Sequence, residues 1–115
     1  MATAKWSPKD PQDVRDYWID ARKFGLAADE TLTVAVVTVP DDQADPVNPY
    51  ELLSAVSSAI ANPDPSDTAG DDKWVVVRFA GGSPMKYPIH YGIDTSTGQH
   101  FDFDKTLEVK ERIIP

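Results

Sequence analysis

From Tyr87 to Val109 the apolar side chains fall on alternate residues: Tyr87, Ile89, Tyr91 and Ile93 before Ser96-Thr97-Gly98, then Phe101, Phe103, Leu107 and Val109 after it. All of these positions are odd-numbered. Strand side chains point to opposite faces in turn, so two such runs bury a common face only if the numbers of opposed residues sum to an even value. That requires a loop of odd length. A loop at Ser96-Thr97-Gly98, closed by Thr95 and Gln99, satisfies the condition. It also sets Gly98 where a type I turn followed by a bulge takes a left-handed residue. The predicted register is Ile93 opposite Phe101, Tyr91 opposite Phe103 and Tyr87 opposite Leu107. Pro88 cannot donate to a ladder, which places the start of the first run at an edge or a bulge.

Two further strands are predicted. Thr31 to Val39 is rich in β-branched residues and ends at Pro40. Leu32, Val34 and Val36 would line one of its faces and Ala35, Val37 and Val39 the other, so both faces are expected to be at least partly covered. Trp74 to Ala80 is the second, followed by a turn at Gly81-Gly82-Ser83-Pro84.

Elsewhere the periodicity leaves two readings open. Val14, Tyr17, Trp18 and Ala21 sit at helical spacing, while Tyr17, Ile19 and Ala21 alternate as in a strand. From Pro40 to Asp72 the chain is acidic and Pro-rich at both ends, which predicts a long insertion loop over 40–72. Within it Tyr50 to Ala61 fits a short amphipathic helix (Leu52, Leu53, Val56, Ala59 and Ile60 on one face) or a strand with Leu52, Val56 and Ile60 inward. Strands joined by short turns, in 115 residues, predict a single antiparallel β-sandwich domain over 1–115, with residues 1–11 as an extended arm.

The charge balance narrows the partners. Nineteen Asp and Glu against 11 Lys and Arg give a net charge of -8, with no basic run. Binding to duplex nucleic acid begins with Lys and Arg neutralising phosphates, so no nucleic-acid partner is expected. No stretch approaches the roughly 18 apolar residues of a membrane span, and the first residues lack a signal-peptide core, so no membrane role and synthesis in the cytosol are expected. With no cysteine there is neither a disulfide nor a thiolate metal site.

No catalytic constellation is evident. His90 and His100 fall on the face opposite the aromatic core, neither directly opposed nor one step apart, and read as exposed sheet residues rather than metal ligands. Asp41-Asp42 and Asp71-Asp72 flank loops instead of converging. There is no nucleophile elbow, and Gly81-Gly82 lacks the rest of a phosphate loop. Neither enzymatic activity nor a cofactor or metal is therefore expected. Trp6 and Trp18 are candidates either for an interface or for capping the ends of the sandwich.

Lys9-Asp10-Pro11, Val14, Asp16-Tyr17, Ile19-Asp20 and Thr31-Leu32 to Thr38-Val39-Pro40 occur in order. They are followed by Val75 to Gly82, Tyr87, Ile89, Ile93, Thr95-Ser96, Gly98 and Leu107-Glu108-Val109. In this order and spacing, over roughly two thirds of the chain, the sequence resembles small tailed-bacteriophage structural proteins of the fibre-tail adaptor type. The resemblance implies an immunoglobulin-like sandwich whose first strand spans residues 16 to 22. It also implies a structural adaptor in the virion, joining tail fibres or tail proteins to the neck or connector, in a homo-oligomeric ring. A capsid-surface decoration or adhesion module is the alternative, and a small enzyme or carbohydrate-binding domain a more distant one. The chain departs from the family pattern at Ala21, where a Trp is usual, and in the length of 40–72. Contacts with neighbouring particle proteins are expected from that insertion and from the segment through Pro11, with Trp6, Lys9, Trp18, Tyr50 and Leu53 as interface residues; a solvated loop is the competing reading.

Overall fold

The structure, a computed structural model, describes residues 6–40 and 51–111. Six strands occur in the order β1 (Arg15–Asp20), β2 (Leu32–Thr38), β3 (Ser54–Ala61), β4 (Trp74–Ala80), β5 (Met85–Thr95) and β6 (His100–Val109). They form two antiparallel three-stranded sheets, β1-β4-β3 and β2-β5-β6. The sheets share one apolar core, in which Tyr17 and Ile19 of β1 and Val75, Val77 and Phe79 of β4 meet Tyr87 to Ile93 of β5 and Leu107 and Val109 of β6. The chain is a β-sandwich.

The β5–β6 hairpin has the predicted register: Ile93 lies opposite Phe101, Tyr91 opposite Phe103 and Tyr87 opposite Leu107. Thr95 N–H donates to Gln99 O at 2.9 Å, and Gly98 adopts φ +83°. Pro88 pairs with Thr106 in a strand that is central to its sheet. The β2 pairing ends at Thr38 opposite His90, however, so at Pro88 β5 has only β6 beside it. The missing N–H is tolerated at this local edge.

The first open segment is a strand. Tyr17 and Ile19 oppose Val77 and Val75 on the core face, and Trp18 opposes Val76 on the outer face. Asp20 ends the strand by capping a 3-10 turn, Ala21–Phe24, with its carboxylate accepting from Arg22 N–H. Ala21 is fully buried.

The predicted faces of β2 require correction. Leu32 pairs with Thr95 but Val34 pairs with Asp94, two steps on one strand against one on the other. This bulge reverses the facing of everything after it. Leu32 is buried and Ala35, Val37 and Val39 pack on the core, whereas Val34 and Val36 point to solvent.

The predicted insertion over 40–72 also requires correction, because it contains a strand of the sandwich. Residues 54–61 pair with β4 along their length, with a bulge between Ala55 and Ser57, and no helix forms there. Leu53 is buried and Ile60 packs against the core, so the core is not complete without this segment. Removing residues 42–71 would therefore delete a strand, not a loop.

Two glycines test this architecture. A Cβ at Gly98 would meet nothing within 4 Å, so the cost of Gly98→Val comes from its positive φ alone, about 1 kcal/mol. A Cβ at Gly81, also at positive φ, would sit 2.4 Å from Leu52 O, so Gly81→Ala is expected to cost more. Urea unfolding midpoints check both, and an unchanged midpoint for Gly98→Val contradicts the register.

Candidate interaction surface

One side of the sandwich is closed by the segment before β1. Lys9 N–H donates to Glu108 O at 2.9 Å and Lys110 N–H to Lys9 O at 2.8 Å, a parallel bridge to the end of β6. The Lys9 side chain is fully buried. Its ammonium donates to Gly81 O at 2.7 Å and Asp10 O at 2.9 Å, with Pro11 O at 3.5 Å, which accounts for its three N–H donors. Burial pushes its pKa down, and the nearby Asp13 and Asp10 charges oppose that shift. Lys9 thus ties the arm, β6 and the β4–β5 turn together. Its side chain offers no surface to a partner.

The remaining sequence-predicted interface residues are scattered. Leu53 is a core residue at 2% exposure, and Tyr50 lies outside the described residues. Trp6 is half-buried, with its ring 4.9 Å from Tyr17 and its Nε1–H donating to Trp18 O at 3.2 Å. Tyr17 donates its hydroxyl to Ser7 O and Arg15 its guanidinium to Pro8 O. These contacts lay residues 6–8 along β1. Trp18 is the one that stays on an outer face, half-exposed and edge-on to Trp74. Around it the Arg22 guanidinium pairs with Asp20 and Asp67 at 2.8 and 3.2 Å, and Arg78 pairs with Asp16 at 2.8 Å. The hydrogen bond from Arg78 holds the Asp16 carboxyl below the usual carboxylate range.

The opposite side is different in kind. Strands β2 (Leu-Thr-Val-Ala-Val-Val-Thr) and β3 (Ser-Ala-Val-Ser-Ser-Ala-Ile-Ala) are each at the edge of a sheet, touch one another and carry no charged residue. Natural edge strands are usually guarded by charges, Pro or a covering segment, because exposed edges invite pairing. Among the described residues, one bulge interrupts each strand. Val34 (46% exposed), Val36 (58%), Leu52 (51%) and Val56 (58%) project along or beside these strands. Of these four, Leu52 and Val56 lie in the predicted contact segment, and the exposure of Val34 and Val36 follows from the β2 bulge.

Sequence reasoning missed two buried charges. The Glu30 carboxylate accepts from Thr95 Oγ1 at 2.6 Å, from Ala27 N–H at 3.1 Å and from Thr97 Oγ1, tying the 27–30 turn to the β5–β6 loop. Those bonds, led by the Thr95 hydroxyl, hold its pKa below the usual value. Lys73, also buried, donates to Ala28 O at 2.6 Å. His90 and His100 lie on the outer face of β5–β6 as predicted, but each contacts two carboxylates. Asp71 accepts from Asn62 Nδ2 at 2.7 Å within its own loop, and Asp41 and Asp42 lie outside the described residues.

A sandwich pinned along one side by a buried ammonium, with two uncharged edge strands along the other, is a structural β-sandwich module. Residues 9–108 match the family model described as Podophage GP4 fiber-tail adaptor protein gp77, and the chain belongs to that family. It is a structural adaptor of the phage tail, working with other tail and fibre proteins. No curated protein and no solved structure matches the chain.

The clamp predicts that Lys9→Ala leaves buried carbonyls without their charged donor and lowers the unfolding free energy by about 2 kcal/mol. Urea unfolding checks this. A loss below about 0.5 kcal/mol, the range of ordinary surface substitutions, contradicts it.

Proposed function

We propose that the chain is a non-enzymatic module repeated in a homo-oligomeric ring at the neck or tail, joining fibres or tail proteins to the connector through the β2–β3 side. It is made in the host cytosol and incorporated during assembly. The observation that supports this docking side is the contrast between the edges: β1 is lined by residues 6–8 and β6 bridged by Lys9, whereas β2 and β3 are uncharged with exposed valines. A ring multiplies each contact, because a tethered neighbour raises the effective concentration for the next one.

We also read the sandwich as immunoglobulin-like. The strand orders β1-β4-β3 and β2-β5-β6 correspond to the B-E-D and C-F-G sheets of that fold, which supports the reading. Of the predicted interface residues, Trp18 and Trp6 remain proposals for secondary contacts, since both keep part of their rings exposed.

The test is Val36→Lys combined with Val56→Lys. Both side chains are exposed, so the melting temperature of the isolated protein should stay within a few degrees of the parent, as for surface changes of up to about 0.5 kcal/mol. Particles assembled with this variant should lose the adaptor or its fibres. Normal incorporation would place docking elsewhere on the molecule.

A further inference from the structure

The even-numbered face of β5–β6 carries His90, Gly92 and Asp94 on one strand and His100, Asp102 and Asp104 on the other. The side chains form one alternating row. His90 Nδ1 lies 2.8 Å from Asp104 Oδ1 and its Nε2 3.2 Å from Asp102 Oδ1. His100 Nδ1 lies 2.5 Å from Asp94 Oδ1 and its Nε2 3.0 Å from Asp102 Oδ2. Asp102 is therefore shared by both rings. The row crosses the space above Gly92, where a Cβ would come within 3.2 Å of Asp102 Oδ1 and 3.5 Å of a His100 ring carbon.

A neutral imidazole has one N–H and one lone pair, whereas an ionised carboxylate only accepts. Each ring here has both nitrogens against carboxylate oxygens, an arrangement that only the imidazolium satisfies. No other charge on the neighbouring strand competes: β2 sets Thr38 opposite His90, Val36 opposite Gly92 and Val34 opposite Asp94. Along the hairpin the same face continues with Pro88 opposite Thr106, then Lys86 opposite Glu108.

We propose that this face is a proton-operated switch. With both histidines protonated the row is closed and carries a net charge of -1, from three aspartates and two imidazoliums. Loss of the two protons leaves -3 and sets a ring lone pair against a carboxylate oxygen at each histidine, so the row opens. The face then presents free carboxylates beside the exposed valines of β2. The adaptor thereby gains a surface whose charge follows the pH around the particle.

The hydrogen bonds that His90 donates to Asp104 and His100 to Asp94 are the largest causes holding the pKa of each ring above the ordinary histidine value. The sign follows from that direction. A pKa raised on folding contributes stability that is fully present below the ordinary value of about 6.5 and is lost as pH rises through the raised value. The closed row therefore belongs to the low-pH side of these raised values.

Nitrogen-15 NMR of the two imidazole rings in the full chain, titrated from about pH 5 to 9, reads the switch directly. Both rings should carry two N–H protons at the acidic end and titrate above the ordinary value. Asp104→Asn should lower only His90, Asp94→Asn only His100, and Asp102→Asn both. Ordinary titration of both histidines in the parent, or Asp102→Asn moving one ring or neither, overturns the proposal. If Asp102→Asn does not fold, the other two variants decide: each must move its own histidine and leave the other in place.

Discussion

The parity of the β5–β6 hairpin governs the rest of the molecule. Because three residues separate Thr95 from Gln99, the odd strand positions from Tyr87 to Ile93 and from Phe101 to Val109 share the core side of the hairpin and the even ones the outer side. The inward set supplies Tyr87, Ile89, Tyr91, Ile93, Leu107 and Val109, nearly half of the fully apolar core. The outward set supplies the histidines and aspartates. A slip of one residue would exchange the two, burying six titratable side chains and exposing the aromatics, so the turn is strongly specified.

The second constraint is the buried Lys9 ammonium. Burying a charge is costly unless its donors are satisfied. Three carbonyl oxygens from the arm and the β4–β5 turn do this, and the same residue bridges to Val109. The arm is thereby fixed against β6 and β1, which closes those edges of both sheets. The other pair of edges, β2 and β3, carries no charged residue, and it is there that we propose the partner docks. A negatively charged chain with Lys or Asp along β2 and β3 would be better protected from association.

What the sequence made legible follows the same logic. The hairpin was readable because a two-residue period, a loop of fixed parity and a glycine at the left-handed position all agreed. The strand character of residues 15–20 was ambiguous because Trp18, an aromatic, sits on the outer face. The β2 bulge was hidden: Val34 and Val36 are as apolar as Val37, and hydropathy does not record one inserted residue. β3 stayed one of two open readings for the opposite reason, since an edge strand of Ser and Ala with a bulge has almost no pattern, and Leu52 and Val56, expected inward, are exposed. Lys9 and Leu53 were assigned to a contact surface because a letter does not say whether a charge is clamped or a leucine is inside. The predicted register already set His90 opposite Asp104 and His100 opposite Asp94. Looking only for histidines facing each other missed Asp102 between them.

The most direct measurement of the account is a reconstruction of the assembled particle at a resolution that traces this chain. The β2–β3 side, with Val34, Val36 and Val56, should be covered by a neighbouring subunit or a tail protein, and residues 6–11 should remain folded against their own β1 and β6. Solvent along β2 and β3, with the partner seated instead on the arm or on the outer face around Trp18, would contradict it.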